Sequence, residues 1–389
     1  MIPILYDINE TEFISNGLCR LSDCISCVVT EERNGVYECD FEYPVTGVNY
    51  ELIQVGRIIG VTHDDSTYTR SEIAIGPLTD ERLEEITDEN GMILTGEAIT
   101  EFTVRDIQPF DIVSFSRPID GIVKFHAVHI SYRQSYLTTK GTNINSLTDA
   151  FTMLKNSTPS NPFTYWTDKA STGYLSSADG VPKTVRSLLG GVEGSILDAY
   201  GGEYEWDKFT VKLWGSRGQD RDFSIRYSVN MLKYDEDFDI SETYSSCVPY
   251  WKSNSTVVVG DRQYSNALTA TGRGECVPLD VTDKFQDQPT KVQVEEMAAS
   301  IMATSNPNIP KQTIKVEFIR LQDSPEYSEY RNLLDCSLCD SINVIFPYYN
   351  TTARFKIVKT VWDVLRNRFE SMELGDLSTT LAEALGIKK

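Results

Sequence analysis

From Tyr37 to Tyr43 apolar and acidic residues alternate without a break: Tyr37, Cys39, Phe41 and Tyr43 against Glu38, Asp40 and Glu42. A period of two sends one set to a buried face and the other to water, so this stretch predicts a half-buried β-strand. Asn34-Gly35 before it, and Asn16-Gly17 upstream, are tight-turn pairs set between apolar runs. Pro44 closes the strand, and VGRIIGVTH reads as the next one. Beyond Asp120-Gly121, residues Ile122 to Ile130 are apolar-rich enough to predict a strand buried on much of both faces.

The period then lengthens. Ser146 with Asp149 has the form of a helix N-terminus, and Leu147, Ala150, Phe151 and Leu154 make a helical stripe. VPKTVRSLLGG predicts a short helix opening near Pro182 and ending at Gly190-Gly191. EYEWDKFTVKLW predicts a hairpin turning at Asp207-Lys208. Farther on, SSCVPYWKSNSTVVVGD has strand character again. Thr290 and Gln293 match a capping box, followed by Val294, Met297, Ala298, Ile301 and Met302 at helical spacing; Pro307 and Pro310 stop that helix. QTIKVEFIRL, SINVIF, ARFKIVKTVWDV and FESMELGD complete a second β-rich set. LSTTLAEALG predicts a last helix with Leu377, Leu381 and Leu385 on one face.

The order is β, then mixed, then β. It predicts an α+β, β-rich chain with two antiparallel barrel-like or sandwich units joined by a mixed unit. The expected segments are 1–115, with an acidic insertion at about 64–106; 116–245, mixed α/β; and 246–389, with an inserted helix at about 290–304. The insertion is rich in Asp and Glu, and reads as a solvated excursion or hairpin arm, or as an arm for docking a partner.

Composition narrows the function classes. The chain has 389 residues, 40% of them apolar and 11% aromatic, which fits packed domains rather than disorder. Its formal charge of −21 repels nucleic-acid backbones, so general DNA binding is not expected. A negative wall does suit a conduit through which DNA slides without sticking. MIPILYDINETEF shows no secretory signal, and no stretch reaches the ~18 apolar residues of a spanning helix. Synthesis and folding in a reducing cytoplasm are therefore expected.

Candidate chemistry is sparse. The glycine-rich run LLGGVEGSILDAYGGEYEWDKFTVKLW lacks the Gly-Lys-Ser/Thr ending of a phosphate loop, and Val185 to Leu189 reads as a helix where a dinucleotide fingerprint needs a strand. Its glycines are better explained as left-handed residues closing helices, at Gly190-Gly191 and at Gly201-Gly202. The eight cysteines include two C-x-x-C pairs, Cys24/Cys27 and Cys336/Cys339. A zinc site would need them joined across more than three hundred residues, and on strands the members of each pair would face opposite ways. Small apolar core residues are the plainer reading. The three histidines are His63, His126 and His129, and on a strand the last two diverge. No Cys-His or Ser-His trio stands out. Fifty-seven acidic residues make a chance carboxylate pair inevitable. Tyr165-Trp166, Trp251 and Tyr348-Tyr349 suit sugar stacking, cores or subunit interfaces alike. No catalytic, cofactor-binding or metal residue is nominated, and no cofactor is expected.

The longer strings ISCVVTEERNGVYECDFEYPVTG, QPFDIV, SRPIDGIVKFHAVHISY, SLTDAFTMLKNS, LLGGVEGSILDAYGGEYEWDKFTVKLW and KTVWDVLRNRFESMELGD resemble tail-tip proteins of phages and prophages of Gram-positive bacteria. That family is variously called prophage endopeptidase tail, tail-associated lysin (Tal) or minor structural protein, and the resemblance runs from about Phe13 to Leu385. It implies the fold of the baseplate hub of contractile-tailed phages: a homotrimer in which each subunit gives two tube-type β-barrel domains and two smaller peripheral domains, interleaved along the chain. The implied partners are the hexameric distal tail protein, the tape measure protein and receptor-binding or fibre proteins, with DNA passing through the lumen. The implied location is the virion tail tip, with roles in host attachment and DNA ejection.

Two departures stand out. The acidic insertion at 64–106 has no counterpart in the family pattern. Lytic members carry their activity in a C-terminal extension, whereas this sequence runs to Lys389 just after LAEALGIKK, so a structural role and no enzyme activity are expected. A tail-associated peptidoglycan hydrolase and a saccharide-binding host-recognition protein are the alternatives.

Overall fold

A computed structural model describes residues 1–64, 67–77, 95–140, 143–169, 172–176, 181–190, 195–227, 231–239, 241, 243–253, 255–264, 275–285, 287–305, 311–318, 336–347 and 351–377. The chain forms two compact units. The first is Met1–Arg217 with Val361–Glu370, and the second is Gly218–Thr360 with Ser371–Lys389. This division is coarser than the three segments expected from sequence. The long hairpin of Thr351–Asp363 and Arg368–Leu377 runs through both units, its tip belonging to the first.

In the first unit an antiparallel sheet follows the order Ser26–Glu32, Tyr37–Pro44, Ile122–His129, Gln108–Ser116, Ile58–Val61, Ile4–Tyr6, Cys19–Arg20. Alternation sets its register: Tyr37, Cys39, Phe41 and Tyr43 are buried while Asp40 is exposed. Phe41 lies opposite Phe125 on the neighbouring strand, and their rings stack at 4.8 Å. Asn34 takes a positive φ of 59° in the turn between Ser26–Glu32 and Tyr37–Pro44. Ile122–His129 differs from the two-faced burial expected of it. Val123, Phe125, Ala127 and His129 are buried but Lys124 is exposed, because polar residues at alternate positions hold one face in water. Two-sided burial is found instead at Ile58–Val61, where every residue is buried. Asn16-Gly17 does not close a tight hairpin; it sits in the longer link between Ile4–Tyr6 and Cys19–Arg20. Gly17 is still required there, since a Cβ would fall 2.3 Å from the Leu5 carbonyl oxygen and φ is +63°.

The rest of the first unit is mixed. The helix Leu147–Lys155 begins where expected: the Ser146 hydroxyl accepts the Asp149 N–H at 3.1 Å, and Leu147, Ala150, Phe151 and Leu154 are buried. The helix Val185–Leu189 begins later than Pro182, because Pro182–Thr184 pairs as a strand with Thr138–Lys140 and Thr184 becomes the cap. Gly190 has φ −175°, an extended rather than left-handed residue, so the conformational reason assigned to it does not hold. Gly191 and Gly194 lie outside the described residues. Gly201 and Gly202 do have positive φ, 61° and 116°. Glu203–Asp207 and Thr210–Trp214 form the expected hairpin around Lys208, joined in parallel by Thr164–Thr167.

In the second unit Met231–Asp239, Lys311–Phe318, Arg368–Leu377 and Thr351–Asp363 lie in sequence across one sheet, with Ser341–Phe346 and Asp220–Arg226 following. A smaller sheet is centred on Ser246–Ser253, flanked by Thr256–Val259, Gln263–Tyr264 and Cys276–Asp280. The helix Lys291–Ser305 packs on it through Val294, Ala298 and Met302. Thr290 and Gln293 form the capping box, the Gln293 side chain accepting the Thr290 N–H at 2.9 Å. Pro307, Pro310 and the helix expected after Leu377 lie outside the described residues; Leu377 itself ends a strand. Among the described residues the sheet orders do not return on themselves, so they trace β-rich antiparallel sheets without a closed barrel.

Candidate functional site

The acidic insertion is a hairpin arm. Thr67–Pro77 pairs with Thr95–Arg105 in unbroken antiparallel register, from Thr67 opposite Arg105 to Pro77 opposite Thr95. Residues 78–94 lie outside the described residues. The chain leaves the first unit's sheet at His63-Asp64 and re-enters at Asp106, so these residues form the foot of the arm. Buried polar groups concentrate there.

Tyr37 is the centre of that foot. His129 stacks on its ring at 4.4 Å, while Phe110 at 5.1 Å and His63 at 6.0 Å meet it edge-on. Its hydroxyl is buried without a hydrogen-bond partner, as is Nδ1 of His63. His63 Nε2 stands 3.6 Å from Asp64 Oδ2, and the two side chains are only 14% and 13% exposed. Burial raises the Tyr37 pKa well above its ordinary value, and Glu31, Asp106 and Asp64 raise it further against the pull of Arg217. The Arg217 guanidinium pairs with the buried Glu31 carboxylate at 3.0 Å.

Polar connections extend from His129. Its Nδ1 accepts the Ser131 N–H at 3.3 Å, which assigns the proton to Nε2, 3.4 Å from Gln108 Oε1. Burial holds the His129 pKa well below the ordinary histidine value, with His63, Arg186 and Lys208 adding to that against Asp207. Gln108 also donates to Asp106 at 2.6 Å, and its carbonyl oxygen accepts the Lys208 backbone N–H at 3.0 Å. The Lys208 ammonium donates to Asp106 at 2.6 Å and to Asp207 at 3.3 Å. The hairpin turn at Asp207-Lys208 is thereby fastened to the foot of the arm. Among the described residues no hydroxyl or thiol hydrogen-bonds through its side chain to either ring. This is the construction of a polar core; a nucleophile held by a base is not assembled here.

His126 and His129 diverge as strand geometry requires: His126 faces outward, its Nδ1 2.8 Å from Asp40. The cysteines depart from expectation. Cys24 lies in the turn before Ser26–Glu32, not on the strand, so its thiol reaches Cys27, and Cys27 Sγ is 3.7 Å from Cys39 Sγ. Cys336 and Cys339 also sit in a turn, where both are buried and Cys339 has φ 72°. Local turn geometry overrides the strand period in both pairs. None of the eight cysteines is in a disulfide. Cys27 is raised far above the ordinary thiol value, chiefly by burial, which suits small core residues. Among the described residues no cluster of three or more His, Cys, Asp or Glu side chains is arranged to hold a metal ion. Trp166 is 43% exposed and meets Trp214 edge-on at 4.6 Å, Trp251 is buried, and Tyr348-Tyr349 lie outside the described residues.

The Gln108–Asp106–Lys208 connections and the Glu31–Arg217 pair were not foreseen. Lys208 is about a hundred positions from Asp106 and Gln108, Arg217 is farther still from Glu31, and nothing local in the sequence joins them.

No known family model matches the chain. No curated protein matches it either. The fold is found among solved phage and prophage tail proteins. Prophage tail protein gp18 from Listeria monocytogenes superposes with a TM-score of 0.60 at 13% identity, covering 99% of this chain and 98% of that one. A tail protein from Neisseria meningitidis gives 0.56 at 12% identity, covering 96% of each chain. The 43 kDa tail protein of prophage MuSo2 from Shewanella oneidensis gives 0.56 at 9% identity, covering 97% and 98%. This chain shares the fold of prophage tail proteins over essentially its whole length.

Proposed function

We propose that this chain is a structural component of a phage tail: the hub at the tail tip, assembled as a trimer around the tail axis. The observation that carries this reading is the end-to-end likeness to three tail proteins, which leaves at most 4% of the chain uncovered in any of them. In the proposed ring each subunit gives two tube-type barrel domains, interleaved along the chain with smaller domains, and the ring closes or extends the tube below the distal tail protein. The tape measure protein and fibre or receptor-binding proteins are the other proposed partners. Opening on host attachment would release the tape measure protein and then DNA.

The surface chemistry fits assembly. Val45, Val48 and Ile119 are 44%, 60% and 108% exposed. Val45 N–H bonds to the Gly121 carbonyl at 3.0 Å, so these side chains share one end of the first unit's sheet. Exposed apolar side chains grouped at a sheet end are the kind of surface a neighbouring subunit would cover. The net charge of −21 suits a lumen that DNA traverses without adhering. Among the described residues no helix is long and apolar enough to cross a membrane. Enzyme activity is not part of the proposal, and a zymogram on purified host cell wall tests that directly: no clearing is expected from this chain. Sedimentation of the chain mixed with its distal tail protein tests assembly. Three hub chains on one hexamer support the proposal, and no association rejects it.

A further inference from the structure

We propose that the open face of the three-stranded sheet in the first unit, built around Trp166 and Trp214, is a binding platform for a neutral saccharide. The sheet sets the layout. Thr164–Thr167 runs parallel to Thr210–Trp214, which pairs antiparallel with Glu203–Asp207. Alternation sends Val211, Leu213, Tyr204 and Trp206 into the core. The opposite face therefore carries Trp166, Lys212 and Glu205 in one row across the strands, with Thr164, Thr210 and Asp207 in the row on one side and Trp214 on the other. The indole rings of Trp166 and Trp214 meet edge-on at 4.6 Å, and Trp166 is 43% exposed. A tryptophan left in water forgoes one of the largest gains that burial offers, so a pair of them on a solvated sheet face points to a ligand.

The polar groups beside the rings are already held in place. Glu205 Oε2 accepts the Trp214 indole N–H at 2.7 Å, and its Oε1 accepts from the Lys212 ammonium at 2.7 Å. Lys212 also reaches Asp207 Oδ2 at 3.5 Å, and the Thr164 and Thr210 hydroxyls stand 3.2 Å apart. Burial pushes the Lys212 pKa down, but Glu205 and Asp207 outweigh it and keep the ammonium charged. An ammonium has three donors and a carboxylate about four acceptor positions, so Lys212 and Glu205 retain capacity beyond these contacts. A sugar ring fits this set. Its C–H face is apolar and lies against the electron-rich face of an indole, while each hydroxyl both donates and accepts, and so bonds a carboxylate and an ammonium together. Other occupants fit less well. Glu205 and Asp207 outnumber Lys212 on this face, which repels a phosphate backbone or a polyanionic glycan. A protein interface depletes Lys, Glu and Asp at its centre, whereas here they lie directly beside the rings. The platform adds a ligand site to a structural chain and does not depend on how that chain assembles.

The test titrates the intact chain with neutral hexasaccharides of glucose, of galactose and of N-acetylglucosamine, with dextran sulfate as the anionic comparison. The chain has five tryptophans, so its indole N–H resonances can be followed one by one in heteronuclear NMR. We expect at least one neutral sugar to bind saturably with a Kd below about 10 mM. Its binding should shift the Trp166 and Trp214 signals and leave those of the buried Trp206, Trp251 and Trp362 in place. Trp166→Ala and Lys212→Met should each weaken that binding by about tenfold. Four results would overturn the platform: no saturable binding of any of the three sugars up to about 10 mM, binding that moves neither indole signal, binding undiminished in Trp166→Ala, or a preference for dextran sulfate. If Trp166→Ala fails to fold, the wild-type resonances and Lys212→Met decide alone. None of these readouts requires a trimer or a tail, so the platform and the hub reading fail separately.

Discussion

The two ends of the Tyr37–Pro44 strand's buried face are built from opposite chemistry. Around Phe41 the neighbours are apolar: Phe125 stacks on it, and Phe115 meets Phe125 in turn at 6.0 Å. Around Tyr37, four residues earlier, the neighbours are two histidines, a buried Glu31–Arg217 pair and the carboxylates at the arm's foot. The first end stabilises the sheet by removing large side chains from water. The second end leaves a hydroxyl and a ring nitrogen unpartnered, each costing about 1–3 kcal/mol. A cost of that size falls where a 22-residue paired hairpin leaves the sheet.

The contrast can be broken first at its apolar end. Phe41→Ala should lower stability by about 4 kcal/mol in urea denaturation, the largest effect of the set; a loss under about 1 kcal/mol would mean that end is not the anchor. Next, Arg217→Ala strands a Glu31 side chain that is only 4% exposed, and should cost about 3 kcal/mol. Glu31→Gln in the same background should recover part of that, and no recovery would show that the charge is not the cause. A smaller, pH-dependent effect is expected at His63. The wild type should exceed His63→Gln in urea midpoint at about pH 5.5, where an unfolded histidine is already protonated, and the gap should close as pH rises through the folded value. A gap that widens with pH contradicts the sign. Last, Tyr37→Phe removes a hydroxyl that makes no hydrogen bond. It should raise stability by about 1 kcal/mol, the low end of the cost of an unpartnered hydroxyl, and a loss near that of Phe41→Ala would erase the distinction between the two ends.

The apolar end was legible in the sequence, and the polar end was not. Alternation over Tyr37–Tyr43 named the buried set residue by residue, because burial on one face of a strand is written with a period of two. The caps at Ser146 and Thr290 were legible for a similar reason, since donor and acceptor lie three residues apart. The insertion's richness in Asp and Glu reads as a solvated excursion or hairpin arm, but does not give the register that joins Thr67 to Arg105. The foot of the arm was out of reach because its contacts are tertiary. His63 stood out only as one of three histidines, and its surroundings come from four separate parts of the chain. The misreadings have the same origin. Cys24 and Cys27 were expected to diverge on a strand, and Gly190 to turn left-handed; in each case a local turn or an extended link, set by packing, replaced the regular geometry.

The central claim is that this chain is a ring-forming part of a tail, and a reconstruction of the tail tip of the particle that contains it tests that most directly. The account predicts three copies around the tail axis beneath the distal tail protein, with the exposed Val45–Val48–Ile119 end of the first unit buried against a neighbouring chain. Density for this chain away from the axis, or a tip assembled without it, would contradict the account.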